Sequence, residues 1–156
     1  MTDEDFMRLA VDKAREGIAS GQMPVAAAIV KAEKVIIIAH NTVWQTCDPT
    51  AHAEMTAIRR AAREQNSINF KGCTIYSTTE PCPMCLAAIH WAKFDRVVFG
   101  ATIADSANYG FSELLVGAAQ LATLGKSHLQ IQSGVLREEC AELFAEWKKA
   151  GLGASY

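Results

Sequence analysis

The sequence predicts an α/β domain with three layers, α-β-α, built around a five-stranded mixed sheet. Three observations indicate this class. The 156 residues suit a single domain, 1–156; half of them are hydrophobic, which is enough for a sizeable core; and short apolar runs alternate with segments of helical periodicity. Read in order, these segments give the element sequence α-β-β-α-β-α-β-α-β-α.

The chain begins with a predicted helix and a predicted hairpin. Thr2-Asp3-Glu4-Asp5 resembles a capping box, and apolar residues then recur at helical spacing until Gly21, which we expect to end the helix. The continuous apolar run 25–30 and the β-branched run 35–39 flank a short polar turn. Two such runs predict a pair of buried antiparallel strands.

The middle of the chain alternates helix, strand and helix. After the loop 41–50, Thr50 can cap a helix that runs to about Gln65. Residues 73–78 alternate as a strand, and Glu80-Pro81-Cys82 then turns into the next helix, where proline is accepted in the first turn. Both helices therefore begin close to residues whose side chains can bind a metal.

The last third contains two more strands and two more helices. Residues 96–100 form a buried strand, and a polar loop, 101–111, follows it. The next segments predict a helix over 113–124, a short strand over 128–132 and a final helix over 136–150. A strand, helix, strand order implies a crossover connection, so we expect the last two strands to be parallel.

Two short stretches about thirty residues apart carry the side chains of a catalytic zinc site. The first contains His52 and Glu54, and the second contains Cys82 and Cys85. Catalytic zinc takes three protein ligands and keeps an open position for water, and His52, Cys82 and Cys85 are ligands of suitable softness. We therefore expect one Zn²⁺ per chain, bound by these three residues, with Glu54 as the catalytic acid and base.

A Cys-x-x-Cys pair by itself also occurs in redox dithiols and in structural zinc sites. A structural site needs a fourth strong ligand, usually from a second close pair. The remaining cysteines and histidines form no such pair in the sequence; they are Cys47, Cys73, Cys140, His40, His90 and His128. Since a redox dithiol does not need His-x-Glu at the start of another helix, the combined motif favours a catalytic metal.

The motifs resemble those of the cytidine deaminase superfamily of zinc enzymes, whose signature is His-x-Glu followed by Pro-Cys-x-x-Cys. The segments 48–54, 80–85 and 96–101 are similar to those of two branches, the bacterial guanine deaminases and the tRNA adenosine deaminases. Residues 105–111, Asp-Ser-Ala-Asn-Tyr-Gly-Phe, are more similar to the guanine deaminase pattern. The resemblance implies a cytidine deaminase-like fold and hydrolytic removal of an amino group from a free nucleobase. Guanine is the substrate that it favours.

The resemblance also implies roles for three residues and a quaternary structure. Asn41, at a strand end, would hydrogen-bond the purine, although the residues alone leave a turn-capping role open. Asp105 and Tyr156 would line the substrate site. In the family the C-terminal segment, about 148–156 in this chain, is exchanged between subunits, so we expect a homodimer in which Tyr156 completes the partner's site.

One position departs from the guanine deaminase pattern. Val25 stands where those enzymes have an aromatic residue, and it resembles the tRNA enzymes instead. The alternatives are therefore a tRNA adenosine deaminase, a deaminase of another amino-heterocycle such as cytosine or an aminated triazine, and a zinc-stabilised binding module without turnover.

The charge and the apolar pattern bear on partners and location. A net charge of −2 argues against a strong phosphate-binding surface, which makes nucleic acid an unexpected partner. The start of the chain shows no signal-peptide pattern, and no apolar stretch has the length of a membrane span. We expect a cytoplasmic protein with reduced cysteines, acting on a small heterocycle.

Overall fold

A five-stranded mixed sheet lies between two layers of helices in the computed structural model, which describes residues 1–151. The helices are α1 Asp3–Ala19, α2 Val43–Thr46, α3 Ala53–Gln65, α4 Pro83–Trp91, α5 Ile103–Ala107, α6 Ala118–Leu124 and α7 Arg137–Ala150. The strands are β1 Ala26–Lys31, β2 Lys34–His40, β3 Cys73–Thr79, β4 Arg96–Ala101 and β5 Gln130–Gln132. The predicted order of long helices and strands is confirmed.

The strand order is β2-β1-β3-β4-β5. β1 is antiparallel to both of its neighbours, while β3, β4 and β5 are mutually parallel, which confirms the predicted direction of the last two strands. The β1–β2 turn contains no glycine, yet Ala32 and Glu33 both have left-handed backbone angles, with φ of 47° and 60°. Two successive left-handed residues match the right-handed twist of the hairpin strands.

Each face of the sheet has its own hydrophobic core. Residues of α1 and α7 pack on one face, and residues of α3, α4 and α6 pack on the other. On the first face, a Cβ atom at Gly100 would lie 2.3 Å from Cys140 Sγ, so the absence of a side chain on β4 allows α7 to approach closely. The zinc motif belongs to the second face, because α3 and α4 carry it.

Two predicted helix starts are wrong. Thr50 does not cap α3, because its backbone N–H and its hydroxyl both donate to Asp48 Oδ1 in a local turn, and the helix begins at Ala53. The helix predicted over 113–124 begins only at Ala118, whose backbone N–H donates to the Glu80 carboxylate. Residues 112–117 are therefore free of helix and reach the region of the metal motif.

Within residues 1–151, no helix is both long enough and apolar enough to cross a membrane.

Candidate active site

Three potential metal ligands meet where helices α3 and α4 begin. His52 is the N-cap residue of α3, Cys82 is the N-cap residue of α4, and Cys85 lies in the first turn of α4. Their ligand atoms all lie within 4.8 Å of one another. His52 Nδ1 is 3.7 Å from Cys82 Sγ and 3.5 Å from Cys85 Sγ. The structure therefore brings together the residues that the sequence motif separates.

These distances fit a tetrahedral zinc ion. Bonds of about 2.1 Å to nitrogen and 2.3 Å to sulfur at tetrahedral angles require a nitrogen–sulfur separation of about 3.6 Å. In the part of the chain that the structure describes, the cluster comprises these three ligands and no fourth. The donor set therefore suits a zinc ion that keeps one coordination position for a small molecule.

The two thiols have very different proton affinities. A hydrogen bond from Cys85 lowers the pKa of Cys82 to about 4, against the opposing effect of burial. The same contact with Cys82, followed by burial, raises the pKa of Cys85 well above its ordinary value. A bound divalent cation would favour the thiolate form of both cysteines, which is the form that ligates zinc.

Glu54 lies in the first turn of α3, beside the ligands. Only 3% of the residue is exposed, and the Ser77 hydroxyl of β3 donates to Glu54 Oε1 at 3.1 Å. Burial raises the pKa of Glu54, and the nearby negative charge of Cys82 adds to the effect. A buried carboxyl group with a raised pKa holds a proton more readily, so it can both accept and return one.

A cavity of about 290 Å³ opens beside the ligands and Glu54. It is close to the lower limit of about 300 Å³ for small-molecule pockets, which suits a single heterocycle. Its wall is mainly apolar and includes Met23, Val25, Met84, Phe111, Leu114 and Phe144. Such a wall can pack against the faces and edges of a flat ring.

Asn41 lines this cavity and is held in one orientation. It is 3% exposed, and its side-chain Oδ1 accepts a hydrogen bond from the backbone N–H of Val43 at 3.0 Å. Because a backbone N–H can only donate, the atom that accepts from it must be the amide oxygen, and this fixes which way the Asn41 amide is turned. The amide group can therefore offer N–H donors to a ligand, as its predicted binding role requires.

Asp105 is not placed with the other predicted site residues. Its carboxylate accepts a hydrogen bond from the backbone N–H of Thr102, in a capping box that begins α5, and it pairs with Arg137 at 3.1 Å. The Arg137 contact is the main cause that lowers the pKa of Asp105 to about 2. Tyr156, the third predicted substrate residue, lies outside the described residues.

Glu113 is a cavity residue that the sequence pattern does not indicate. It lies in the stretch between α5 and α6, and burial, followed by the negative charges of Cys82 and Glu54, raises its pKa to about 7. Within residues 1–151, its Oε2 atom is buried without a hydrogen-bond partner. The sequence interpretation places Glu113 at the first position of a helix, where an acidic residue is ordinary.

Glu80 connects the segments around this cavity. One carboxylate oxygen accepts a hydrogen bond from Ile103 N at 3.1 Å, and the other accepts from Ala118 N at 2.8 Å. Glu80 therefore ties the start of α5 and the start of α6 to the strand that leads into Cys82. The residue after β3 thereby fixes both ends of the segment that carries Glu113.

An open position on a metal, next to a carboxyl group that can transfer protons, is the arrangement of metal-dependent hydrolases. Comparison with known proteins shows which family of metal-dependent hydrolases the chain belongs to. Residues 1–101 match the family model of the cytidine and deoxycytidylate deaminase zinc-binding region. The chain belongs to this family, and it is a zinc-dependent hydrolytic deaminase with a cytidine deaminase-like fold.

The relatives represent two kinds of deaminase. The guanine deaminase of Bacillus subtilis is 41% identical over 117 residues, which cover 74% of this chain and 75% of the relative. The tRNA-specific adenosine deaminase of Aquifex aeolicus is 43% identical over 101 residues, which cover 65% and 67%. The solved guanine deaminase of Nitrosomonas europaea superimposes with a TM-score of 0.85 at 25% identity, over 94% of this chain and 84% of that chain.

Proposed function

We propose that the protein hydrolyses a free nucleobase, guanine, to xanthine and ammonia. The observation that carries this proposal is a small, mainly apolar cavity that is lined by His52, Cys82 and Glu54 and offers the Asn41 amide as a donor. The similarity to the Bacillus subtilis guanine deaminase over about three quarters of both chains supports guanine as the base.

When bound by His52, Cys82 and Cys85, zinc supplies a Lewis acid that makes water a nucleophile near neutral pH. Glu54 accepts a proton from the water that adds to the ring carbon bearing the amino group. It returns this proton to the adjacent ring nitrogen, then takes the proton of the added hydroxyl and delivers it to the amine as the carbon–nitrogen bond breaks. The ring carbon becomes a carbonyl, one water is consumed and one ammonia is released. This sequence needs one group that acts first as a base and then as an acid.

The other cavity residues bind and orient the ring. Guanine presents ring nitrogens and a carbonyl oxygen as acceptors, and the Asn41 amide can donate to one of them. Glu113 offers a second carboxyl group, which can accept from a ring N–H when ionised and donate when protonated. The apolar wall excludes bulk water, so these polar contacts act in a medium of low dielectric constant.

A homodimer is part of the proposal, with the segment 148–156 exchanged between subunits so that Tyr156 completes the neighbouring site. We also propose a cytoplasmic role in purine metabolism. The resemblance to guanine deaminases carries these points. Light scattering of the purified protein tests the dimer, and a monomeric mass with full activity would contradict it.

For Asp105, the capping box and the ion pair with Arg137 support an indirect contribution to the site: Asp105 orders α5, whose Ser106 lines the cavity.

A tRNA adenosine deaminase is the second candidate, because the Aquifex aeolicus relative is 43% identical and Val25 follows the pattern of those enzymes. A tRNA substrate would need a surface that binds phosphates, whereas the chain has a net charge of −2.

The test is an assay of ammonia and product for guanine, adenine, cytosine, an aminated triazine and a tRNA with adenosine at position 34. Glu54→Gln protein from the same preparation is the control for contaminating enzymes. We expect turnover to be highest on guanine. Efficient conversion of the tRNA with no xanthine from guanine would replace the proposal with the second candidate, and no turnover of any substrate would favour a binding module.

A further inference from the structure

Two adjacent threonines of β3 have the same side chain and opposite surroundings. Thr78 is completely buried, and its Oγ1 accepts a hydrogen bond at 3.1 Å from the backbone N–H of Ala26 on the neighbouring strand β1. Thr79 is 4% exposed, and in the described part of the chain its Oγ1 is buried without a hydrogen-bond partner. The first hydroxyl therefore has a structural role, and the second has none within the fold.

The direction of Thr79 follows from the alternation of side chains along a strand. Residues two apart point to the same face, so Thr79 shares a face with Ser77, whose hydroxyl contacts Glu54. Thr79 is also a lining residue of the cavity that His52 and Cys82 help to form. Its hydroxyl therefore lies on the catalytic side of the sheet, at the end of β3 where the cavity begins.

A buried hydroxyl without a partner opposes folding, because it loses its hydrogen bonds to water and gains none in return. The cavity contains a second such atom, Glu113 Oε2. Two unpaired polar atoms in one mainly apolar cavity are unusual, since buried polar groups are almost always hydrogen-bonded. A polar ligand in the cavity would supply the missing partners.

The geometry points to Thr79 as a specificity-determining residue whose hydroxyl hydrogen-bonds the polar edge of the bound amino-heterocycle. This inference rests on the proposed deaminase function and deepens it. A hydroxyl can donate to a ring nitrogen or a carbonyl oxygen, and it can accept from a ring N–H. Heterocycles with such a group at that edge are therefore preferred over analogues with a methyl or another apolar group there.

The test compares Thr79→Val with Thr78→Val in the zinc-loaded full chain. Valine keeps the branched shape of threonine and replaces the hydroxyl with a methyl group. Steady-state kinetics with guanine, the binding constant of xanthine measured by calorimetry, and the thermal midpoint Tm are recorded for each variant. Thr79→Ser, which retains a hydroxyl, is the rescue variant.

For Thr79→Val, we expect kcat/KM for guanine and the affinity for xanthine to fall by about tenfold, as for one lost hydrogen bond, while Tm is unchanged or raised. Thr79→Ser should stay close to the wild type. For Thr78→Val, we expect Tm to fall by several degrees because Ala26 N loses its acceptor, with little change in the affinity for xanthine.

Unchanged kinetics and unchanged xanthine binding in Thr79→Val would overturn the inference. A fall in its Tm as large as that of Thr78→Val would also overturn it, because the hydroxyl would then have a partner in the fold. The proposed function has a separate outcome: if the wild-type protein produces no xanthine from guanine, the function fails, whatever the variants do.

Discussion

The segment between β4 and α6 holds two carboxylates with opposite surroundings. Asp105, in the short helix α5, accepts a hydrogen bond from Thr102 N and pairs with Arg137, and its pKa is lowered to about 2. Glu113, in the irregular stretch before α6, is half-buried and lines the cavity. Among residues 1–151 its Oε2 atom is buried without a hydrogen-bond partner, and its pKa is raised to about 7. The two groups are eight residues apart, and only Glu113 lines the cavity.

Carboxylates whose oxygens are bound within the fold differ from carboxylates that are available to a ligand. Asp105 and Glu80 have their oxygens bound by backbone N–H groups or by an arginine, so the folded chain satisfies them. Glu54 and Glu113 carry raised pKa values because burial outweighs their contacts. A titratable group that the fold leaves poorly satisfied in a cavity is a candidate for function.

The largest expected effect is that of Glu54→Gln. The variant keeps the shape and loses the proton acceptor, so we expect kcat to fall by about 10²- to 10⁴-fold while zinc content stays at the wild-type level. Steady-state kinetics and metal analysis check this prediction. Glu64→Gln, at an exposed position of the same helix, is the matched control. Wild-type turnover by Glu54→Gln would remove Glu54 from the mechanism.

Glu113→Gln should have the next largest effect. We expect kcat/KM for guanine to fall by about tenfold to a hundredfold, because a charged hydrogen bond to the ring becomes a neutral one. Tm should not fall, since within residues 1–151 Oε2 has no hydrogen-bond partner that the change would remove. Steady-state kinetics and thermal unfolding, carried out on one preparation, measure kcat/KM and Tm. If Tm falls and kcat/KM does not, Glu113 belongs with the structural carboxylates.

Asp105→Asn should have the smallest effect on catalysis and a clear effect on stability. At neutral pH we expect kcat/KM within about threefold of the wild type and Tm lower by about 2–4 °C, as for a weakened helix cap. The pKa of Asp105 in the folded protein is about 2, below its ordinary value of 3.8. The carboxylate therefore stabilises the fold fully at pH values above 3.8, and this stabilisation is lost as the pH falls through 2.

Denaturant unfolding of the wild type and Asp105→Asn at several pH values tests this sign. The difference in unfolding free energy should be constant above about pH 5 and should narrow as pH falls toward 2. A large loss of kcat/KM without loss of stability would instead place Asp105 among the substrate-binding residues, as the sequence resemblance implies.

The metal centre could be predicted from the sequence because it depends on residue types at fixed spacing next to helix starts. His52, Glu54, Cys82 and Cys85 all satisfy local rules, and the strands follow from apolar runs. Glu113 and Thr79 could not be predicted in this way. What marks them is a missing hydrogen bond in a shared cavity, and that depends on which segments meet in three dimensions.

The surroundings of Asp105 show how a resemblance and a local signal can differ. The resemblance of residues 105–111 to guanine deaminases gives Asp105 a binding role, whereas Thr102-x-x-Asp105 is also the spacing of a capping box. The structure contains the capping box. Similarly, helical periodicity extends α6 back to Glu113, but the hydrogen bond from Ala118 N to Glu80 begins the helix five residues later.

We propose that one zinc ion, held by His52, Cys82 and Cys85, makes the protein a guanine deaminase. The most direct measurement is xanthine formation before and after removal of metal with a chelator, with zinc content determined at each stage. We expect one zinc per chain, loss of turnover on chelation, and recovery on addition of one equivalent of zinc. Full turnover by metal-free protein would contradict the role of zinc, and a zinc-loaded protein that never forms xanthine would contradict guanine as the substrate.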